Sequence, residues 1–314
     1  MATTKILEVQ NLSKTFTSGW WWRKRHYAAV QQVSFDLQAG EILGILGPNG
    51  AGKTTIINML IGITIPSAGE IKYFGQVVTQ KNFHEVLRKI AYSSTYYKLP
   101  SKLTVYENLK FYALMYAPER VTAAIDNVVE KFNLQLLLHK QFGTLSAGQM
   151  SRVLIAKNFI YNPEIMLLDE PTAALDPKSA REIRQEIMQI RERFNTAIII
   201  TSHNMIEVTE LCDRVVVLKN GAVLEIDTPE LLAKRLNMAY LNLWISKNAD
   251  QLEQLLAQKN LIYTKVGHEF EIKIAEQNLA SFLAELHVYK IEFIDIAITK
   301  PNLEDYFIQI AESK

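Results

Sequence analysis

The chain has 314 residues, which at roughly 150 residues per domain suggests about two domains, and its 48% apolar and 21% charged residues suit a globular protein with a full core. Its 34 Lys and Arg against 33 Asp and Glu give no global reason to expect a nucleic acid partner. The 1 cysteine, Cys212, excludes an internal disulfide, fits a reducing cytosolic setting and reads as a packed apolar thiol.

The opening MATTKILEVQ lacks a basic stretch followed by an apolar one, so no targeting signal is expected. The longest apolar runs, such as Ala197 to Ile200 and Val215 to Leu218, fall far short of the roughly 20 residues that cross a bilayer. A role at a membrane would therefore need another chain to hold this one there.

Residues 5–9 and 30–37 predict strands. Between them lies an insert, Thr17 to His26, carrying Trp20-Trp21-Trp22-Arg23-Lys24-Arg25. It reads either as an enlarged hairpin loop whose tryptophans fold back, or as a contact with a permease or lipid headgroups. Glu41 to Leu46 predicts a strand that stops at a Gly-Pro-Asn-Gly turn, and Thr54 to Ile61 a helix. Helical periodicity covers 104–117 and 122–139, broken at Pro118, and then Ser146 to Tyr161. Ile165 to Leu168 and Ala197 to Thr201 have the continuous apolar character of strands buried on both faces of a parallel sheet, with 178–193 as the crossover helix. Val215 to Leu218 and Ala222 to Ile226 flank an Asn-Gly turn and predict a hairpin.

After Pro229 the pattern changes. Strands are expected at 239–246, 261–266, 269–274 and 289–298, and helices near 248–258, 276–286 and 302–312. This is a small α+β appendage at 230–314, and none of the phosphate chemistry falls within it.

Gly47 to Thr54, GPNGAGKT, matches the phosphate-loop pattern G-x-x-x-x-G-K-[ST] between a strand and a helix. Glycines let successive backbone N–H groups turn around the phosphates, and the following helix offers its positive end to the same charge. Lys53 supplies a mobile charge for the β- and γ-phosphates, and Thr54 a hydroxyl for Mg²⁺. In IMLLDEP, Asp169 leaves the C-terminal end of a buried strand, where a carboxylate can hold Mg²⁺. Glu170, one residue on, points elsewhere and can polarise an attacking water.

Leu145 to Gln149 reads LSAGQ at a helix start, about twenty residues before that strand. With this motif the chain resembles the ABC ATPase family, whose signature is LSGGQ; Ala147 stands for its first glycine. The resemblance covers residues 4–228 and implies an α/β fold: a P-loop ABC-type ATPase core with an antiparallel β-subdomain and a helical subdomain near 95–160, within a domain at 1–229. It implies that ATP is held by Phe16, Gly47, Pro48, Asn49, Gly50, Ala51, Gly52, Lys53, Thr54 and Thr55, with Phe16 stacking on adenine unless it is an ordinary core phenylalanine. It implies that Ser146, Ala147, Gly148 and Gln149 close over the ATP of a second subunit in a homodimer, with Asp176 across that interface. His203, at the end of AIIITSH, matches the histidine that contacts the γ-phosphate, and Glu170 and His203 are the expected catalytic pair.

One position departs from the family. Its glutamine after the strand KIAYSSTYY, which contacts Mg²⁺ and the coupling region, is here Thr95, or Ser94 with a one-residue slip, a shorter hydroxyl side chain that can still reach a metal-bound water. The stretch at 99–116 and the closing PNLEDYFI at 301–308 resemble the ATPase subunits of ABC-2 type exporters. PNLEDYFI also reads simply as a helix start. The resemblance implies a membrane permease as partner and a peripheral place on the cytoplasmic face of the cell membrane. The alternative is a regulatory or structural ATP switch of the same class; it would lack a permease, but the chain has neither the doubled motif set nor the long coiled coil of such proteins. A P-loop kinase or GTPase would not carry LSAGQ.

Overall fold

The computed structural model describes residues 4–19, 25–79, 81–94, 99–173 and 175–312. They form two compact units, Met1–Thr228 and Pro229–Lys314.

The first unit opens with a long antiparallel pair, β1 (Lys5–Ser18) and β2 (Arg25–Gln38). These strands run far beyond the expected 5–9 and 30–37. Their outer ends, Thr15 to Ser18 and Arg25 to Ala28, are exposed on both faces, so cross-strand pairing holds them and no buried face writes a period-2 pattern. The strand β4 (Ala68–Tyr73) adds to β1 and β5 (Gln76–Val77) to β4, giving the order β2-β1-β4-β5.

A second sheet of six strands has the order β10-β9-β3-β8-β7-β6, with β3 (Ile42–Leu46), β6 (Ile90–Ser94), β7 (Ile165–Asp169), β8 (Ala197–Ser202), β9 (Arg214–Lys219) and β10 (Ala222–Asp227). All neighbours are parallel except the β9–β10 hairpin. Every residue of ILGIL, IMLLD and AIIITS is buried, as expected of strands sandwiched between two layers. One core joins both sheets through Leu7, Leu12, Val33, Leu43, Ile56, Leu167 and Ile199.

The helices are α1 (Lys53–Leu60), α2 (Phe83–Leu87), α3 (Val105–Tyr116), α4 (Val121–Lys131), α5 (Ala147–Ala156), α6 (Pro177–Phe194) and α7 (Met205–Leu211). Two are shorter than the periodicity suggests. The helix expected over 122–139 stops at Lys131, because Asn133 takes a left-handed φ of 51° and lets Phe132, Leu134 and Leu137 turn into the core. The one expected over Ser146 to Tyr161 tightens into a 3₁₀ turn after Ala156 and ends at left-handed Asn162.

The second unit holds α8 (Pro229–Lys234), β11 (Met238–Lys247), α9 (Ala249–Gln258), β12 (Ile262–Val266), β13 (Glu269–Ala275), α10 (Leu279–Val288), β14 (Glu292–Thr299) and α11 (Leu303–Glu312). Its sheet is wholly antiparallel, in the order β12-β13-β11-β14, a split β-α-β arrangement. Alternate residues of β11 and β13 (Leu241, Leu243, Ile245, Phe270, Ile272) face Leu252, Leu256 and Phe282 of α9 and α10. The closing PNLEDYFI forms the start of α11. Asn302 and Asp305 bond each other's backbone N–H groups, and the Asp305 carboxylate also accepts the Tyr240 hydroxyl at 2.7 Å.

Candidate nucleotide site

The strand β3 lies between β8 and β9 and delivers the loop Gly47–Gly52 at its C-terminal end. Two of its glycines are sterically required. Gly52 has φ 102°, and a β-carbon there would stand 2.5 Å from the Ala29 carbonyl oxygen; one on Gly47 would stand 2.7 Å from that of Leu218. Gly52 also begins α1 without any side-chain cap, which leaves the first N–H groups of the helix available to an anion. Pro48 is half-buried, Asn49 and Gly50 are exposed and Ala51 is buried.

Lys53, the first residue of α1, is buried, and its ammonium donates to the carbonyls of Gly47 at 2.6 Å and Pro48 at 3.3 Å. Burial pulls its pKa below the usual lysine value, while the charges of Glu170 and Asp169 push it back up. The acidic end of β7 and the phosphate loop thus share one electrostatic neighbourhood. Thr54 is exposed and Thr55 half-buried on the next positions of α1.

Asp169 closes β7, buried, and accepts a short hydrogen bond from the Thr201 hydroxyl of β8. At Glu170 the backbone turns left-handed, φ 51°, and its N–H donates to the Thr201 carbonyl at 3.0 Å. A non-glycine residue in that conformation carries strain that the surrounding structure must hold. The turn sends the two carboxylates apart: Asp169 stays against β8, and Glu170 Oε1 lies 3.2 Å from Nδ1 of the exposed His203. Asp169, Glu170 and His203 therefore assemble with the phosphate loop at the C-terminal edge of adjacent parallel strands, where open α/β sheets bind ligands.

The signature turn belongs to a different part of the unit. Ser146 caps α5: its hydroxyl accepts from the Gln149 N–H at 3.3 Å and the Gln149 side chain accepts from the Ser146 N–H at 3.1 Å, a reciprocal box. Ala147 opens the helix and Gly148 packs against α6, where a β-carbon would come 2.8 Å from Glu182 Oε2. Asp176 caps α6, accepting from the Lys178 and Ser179 N–H groups, each at 3.1 Å, and from the Ser179 hydroxyl at 2.6 Å. Those bonds hold its carboxyl below the usual range.

Phe16 is no core residue: it is 42% exposed on the outer end of β1, with the Lys14 ammonium 5.2 Å from its ring centre. Directly opposite it on β2 stands Tyr27, an exposed aromatic whose hydroxyl donates to the Gly50 carbonyl at 3.3 Å. Sequence reasoning missed Tyr27 because β2 was expected to begin only at residue 30. Thr95, Ala174 and the Trp20 to Lys24 segment lie outside the described residues.

Asp169 and Thr54 offer carboxylate and hydroxyl oxygens, the hard donors that Mg²⁺ prefers. Among the described residues no group of three or more His, Cys, Asp or Glu could hold a metal ion by itself. The donor set fits a metal that takes part of its shell from phosphate oxygens and water. Among the same residues no helix is long and apolar enough to cross a membrane.

Comparison with known proteins adds to this geometry. The ABC transporter family profile matches residues 30–173. The bacitracin transport ATP-binding protein BcrA of Bacillus licheniformis is 33% identical, over 97% of this chain and 97% of its own. The linearmycin resistance ATP-binding protein LnrL of Bacillus subtilis is 31% identical, over 97% of this chain and 98% of its own. The dimeric structure of MJ0796, a bacterial ABC transporter cassette, superposes with a TM-score of 0.60 and 25% identity, covering 71% of this chain and 98% of that one. Full-length likeness at this level, on a phosphate loop and acidic strand end so arranged, makes the chain a member of the ABC transporter family, one of its ATP-binding and ATP-hydrolysing subunits.

Proposed function

We propose that the chain is the motor subunit of an ABC-2 type exporter, peripheral on the cytoplasmic face of the cell membrane and bound there to a separate permease. The observation that carries the reading is the Glu170 carboxylate, turned away from Asp169 and towards His203 beside the phosphate loop. In this reading the backbone of Gly47–Gly52 and Lys53 hold the ATP phosphates, and Phe16 with Tyr27 flanks the base. Glu170 accepts a proton from the attacking water and His203 meets the γ-phosphate. Thr54 and Asp169 would hold Mg²⁺, which when bound neutralises charge between the phosphates; Thr95, or Ser94 with a one-residue slip, stands where the family has a third contact. Ser146, Ala147, Gly148 and Gln149 would close over the ATP of a second copy, with Asp176 on the same seam. The dimeric cassette MJ0796 supports that arrangement, and the bacitracin and linearmycin relatives support export. The choice of cargo rests with the permease.

Purification of the full chain from its native membranes tests the reading. An ABC-2 motor brings down a multi-span membrane protein, and ATP turnover rises when that protein is present. Recovery of the chain with nucleic acid, or free of any membrane protein, contradicts it.

A further inference from the structure

We propose that Glu207 is a positioning residue, whose buried carboxylate fixes the backbone on both sides of His203 and thereby the Glu170–His203 pair. The proposal rests on the roles assigned above to those two residues.

Glu207 is only 1% exposed although it is charged and lies in the first turn of α7, a helix of seven residues. A carboxylate is rarely buried to this degree unless something holds it. Its neighbours show what that is. Glu207 Oε2 accepts a short hydrogen bond from the Ser202 hydroxyl, and the same hydroxyl oxygen accepts the Asn204 N–H at 3.0 Å. The Asn204 side chain in turn accepts from the N–H groups of Ile206 at 3.0 Å and Glu207 at 3.4 Å.

An ordinary capping box would have the carboxylate take the N-cap N–H itself. Here the Ser202 hydroxyl is interposed, so the carboxylate reaches past the cap into the strand end that precedes His203. His203 is thus flanked by Ser202 and Asn204, both tied to one buried group, while its own side chain stays free to meet Glu170. Ordinary helix capping would need only Asn204, which already occupies the first N–H groups.

The same carboxylate looks across to the segment that leaves β7. Glu207 lines a cavity of about 310 Å³ together with Glu170, Thr172, Arg184 and His203. Its second oxygen, Oε1, is buried without a hydrogen-bond partner among the described residues. Burial pushes the Glu207 carboxyl above the usual range, and Ser202, Thr172, Arg184 and His203 each favour its ionised form. Arg184 itself is paired with Glu210 at 2.6 Å, which orients the cation beside the site. The carboxylate is thus bonded to the turn that carries His203 and lines the same cavity as the segment that carries Glu170.

The test is steady-state ATP turnover of the full chain, with ATP binding measured alongside to count folded sites. Glu207→Ala is expected to lower kcat about tenfold while KM for ATP stays within about twofold, since geometry and not ground-state binding is lost. Glu207→Gln, which keeps an acceptor for Ser202, should recover most of that rate. Ser202→Ala should match Glu207→Ala, and the double variant should be no slower than either, because both remove one unit. In a His203→Ala background, Glu207→Ala should cost nothing more. The proposal is overturned by an unchanged kcat per folded site, or by losses that multiply with Ser202→Ala or His203→Ala. If Glu207→Ala does not fold, Ser202→Ala decides alone. A normal rate in His203→Ala would instead sink the underlying reading of His203, whereas a slow His203→Ala beside normal Ser202→Ala and Glu207→Ala sinks only this inference.

Discussion

At the residue scale the site depends on backbone conformations that side chains then exploit. Gly52 combines φ 102° with a 2.5 Å approach of any β-carbon to the Ala29 carbonyl, so both torsion and space exclude a side chain. Left-handed alanine costs about 1–2 kcal/mol before that clash is counted. Gly52→Ala is therefore expected to weaken ATP binding more than tenfold in calorimetric titration; wild-type affinity would mean the loop is not the phosphate cradle. Glu170 presents the opposite case, a charged residue held left-handed, and the bonds from its N–H to Thr201 supply the restraint. The phosphate loop, Asp169, Glu170 and His203 were legible in the sequence because each sits at a fixed offset from a buried apolar strand. Tyr27, Ser202 and Glu207 were not. Their meaning lies in contacts across strands and turns (Tyr27 to Gly50, Glu207 to Ser202), which no local spacing records.

At the scale of elements, the strands written as continuous apolar runs fell within a residue or so of their expected ends, since burial on both faces leaves no ambiguity. Short or exposed elements escaped notice: β5 and the outer halves of β1 and β2 draw their order from pairing rather than from a buried face, and β4 and α2 bury only Ile71, Tyr73 and Val86, too few to write a periodic pattern. The C-terminal helix α11 was anticipated from Pro301 and the acidic first turn, but its place is held by the burial of Leu303, Tyr306 and Ile310 together with one carboxylate. Asp305 joins its cap to Tyr240 of β11 and Tyr306 is buried beneath. Asp305→Ala removes a cap and strands the Tyr240 hydroxyl, a loss of about 1–3 kcal/mol. Urea unfolding of the full chain should show that shift in the transition of the appended unit. A change below about 0.5 kcal/mol would mean the hydroxyl and the cap are satisfied by water instead.

At the scale of the whole molecule, the likenesses differ in how much of the chain they reach. The MJ0796 cassette is matched along 98% of its length by 71% of this chain, whereas BcrA and LnrL are matched along 97% of it. The Bacillus relatives thus match nearly the whole chain, and the cassette structure less than three quarters of it. Fold class and ATPase identity follow from motifs confined to the first unit. The motor reading goes further, because it asks one chain with a single phosphate loop and a single signature to work as two copies. Its most direct test is Mg-ATP turnover of the detergent-extracted complex, wild type against Glu170→Gln, with size analysis in ATP. The account predicts that the variant loses hydrolysis by at least about a hundredfold and accumulates as an ATP-bound dimer with its membrane partner. Wild type that binds ATP and dimerises, yet turns over no faster than Glu170→Gln, would contradict it.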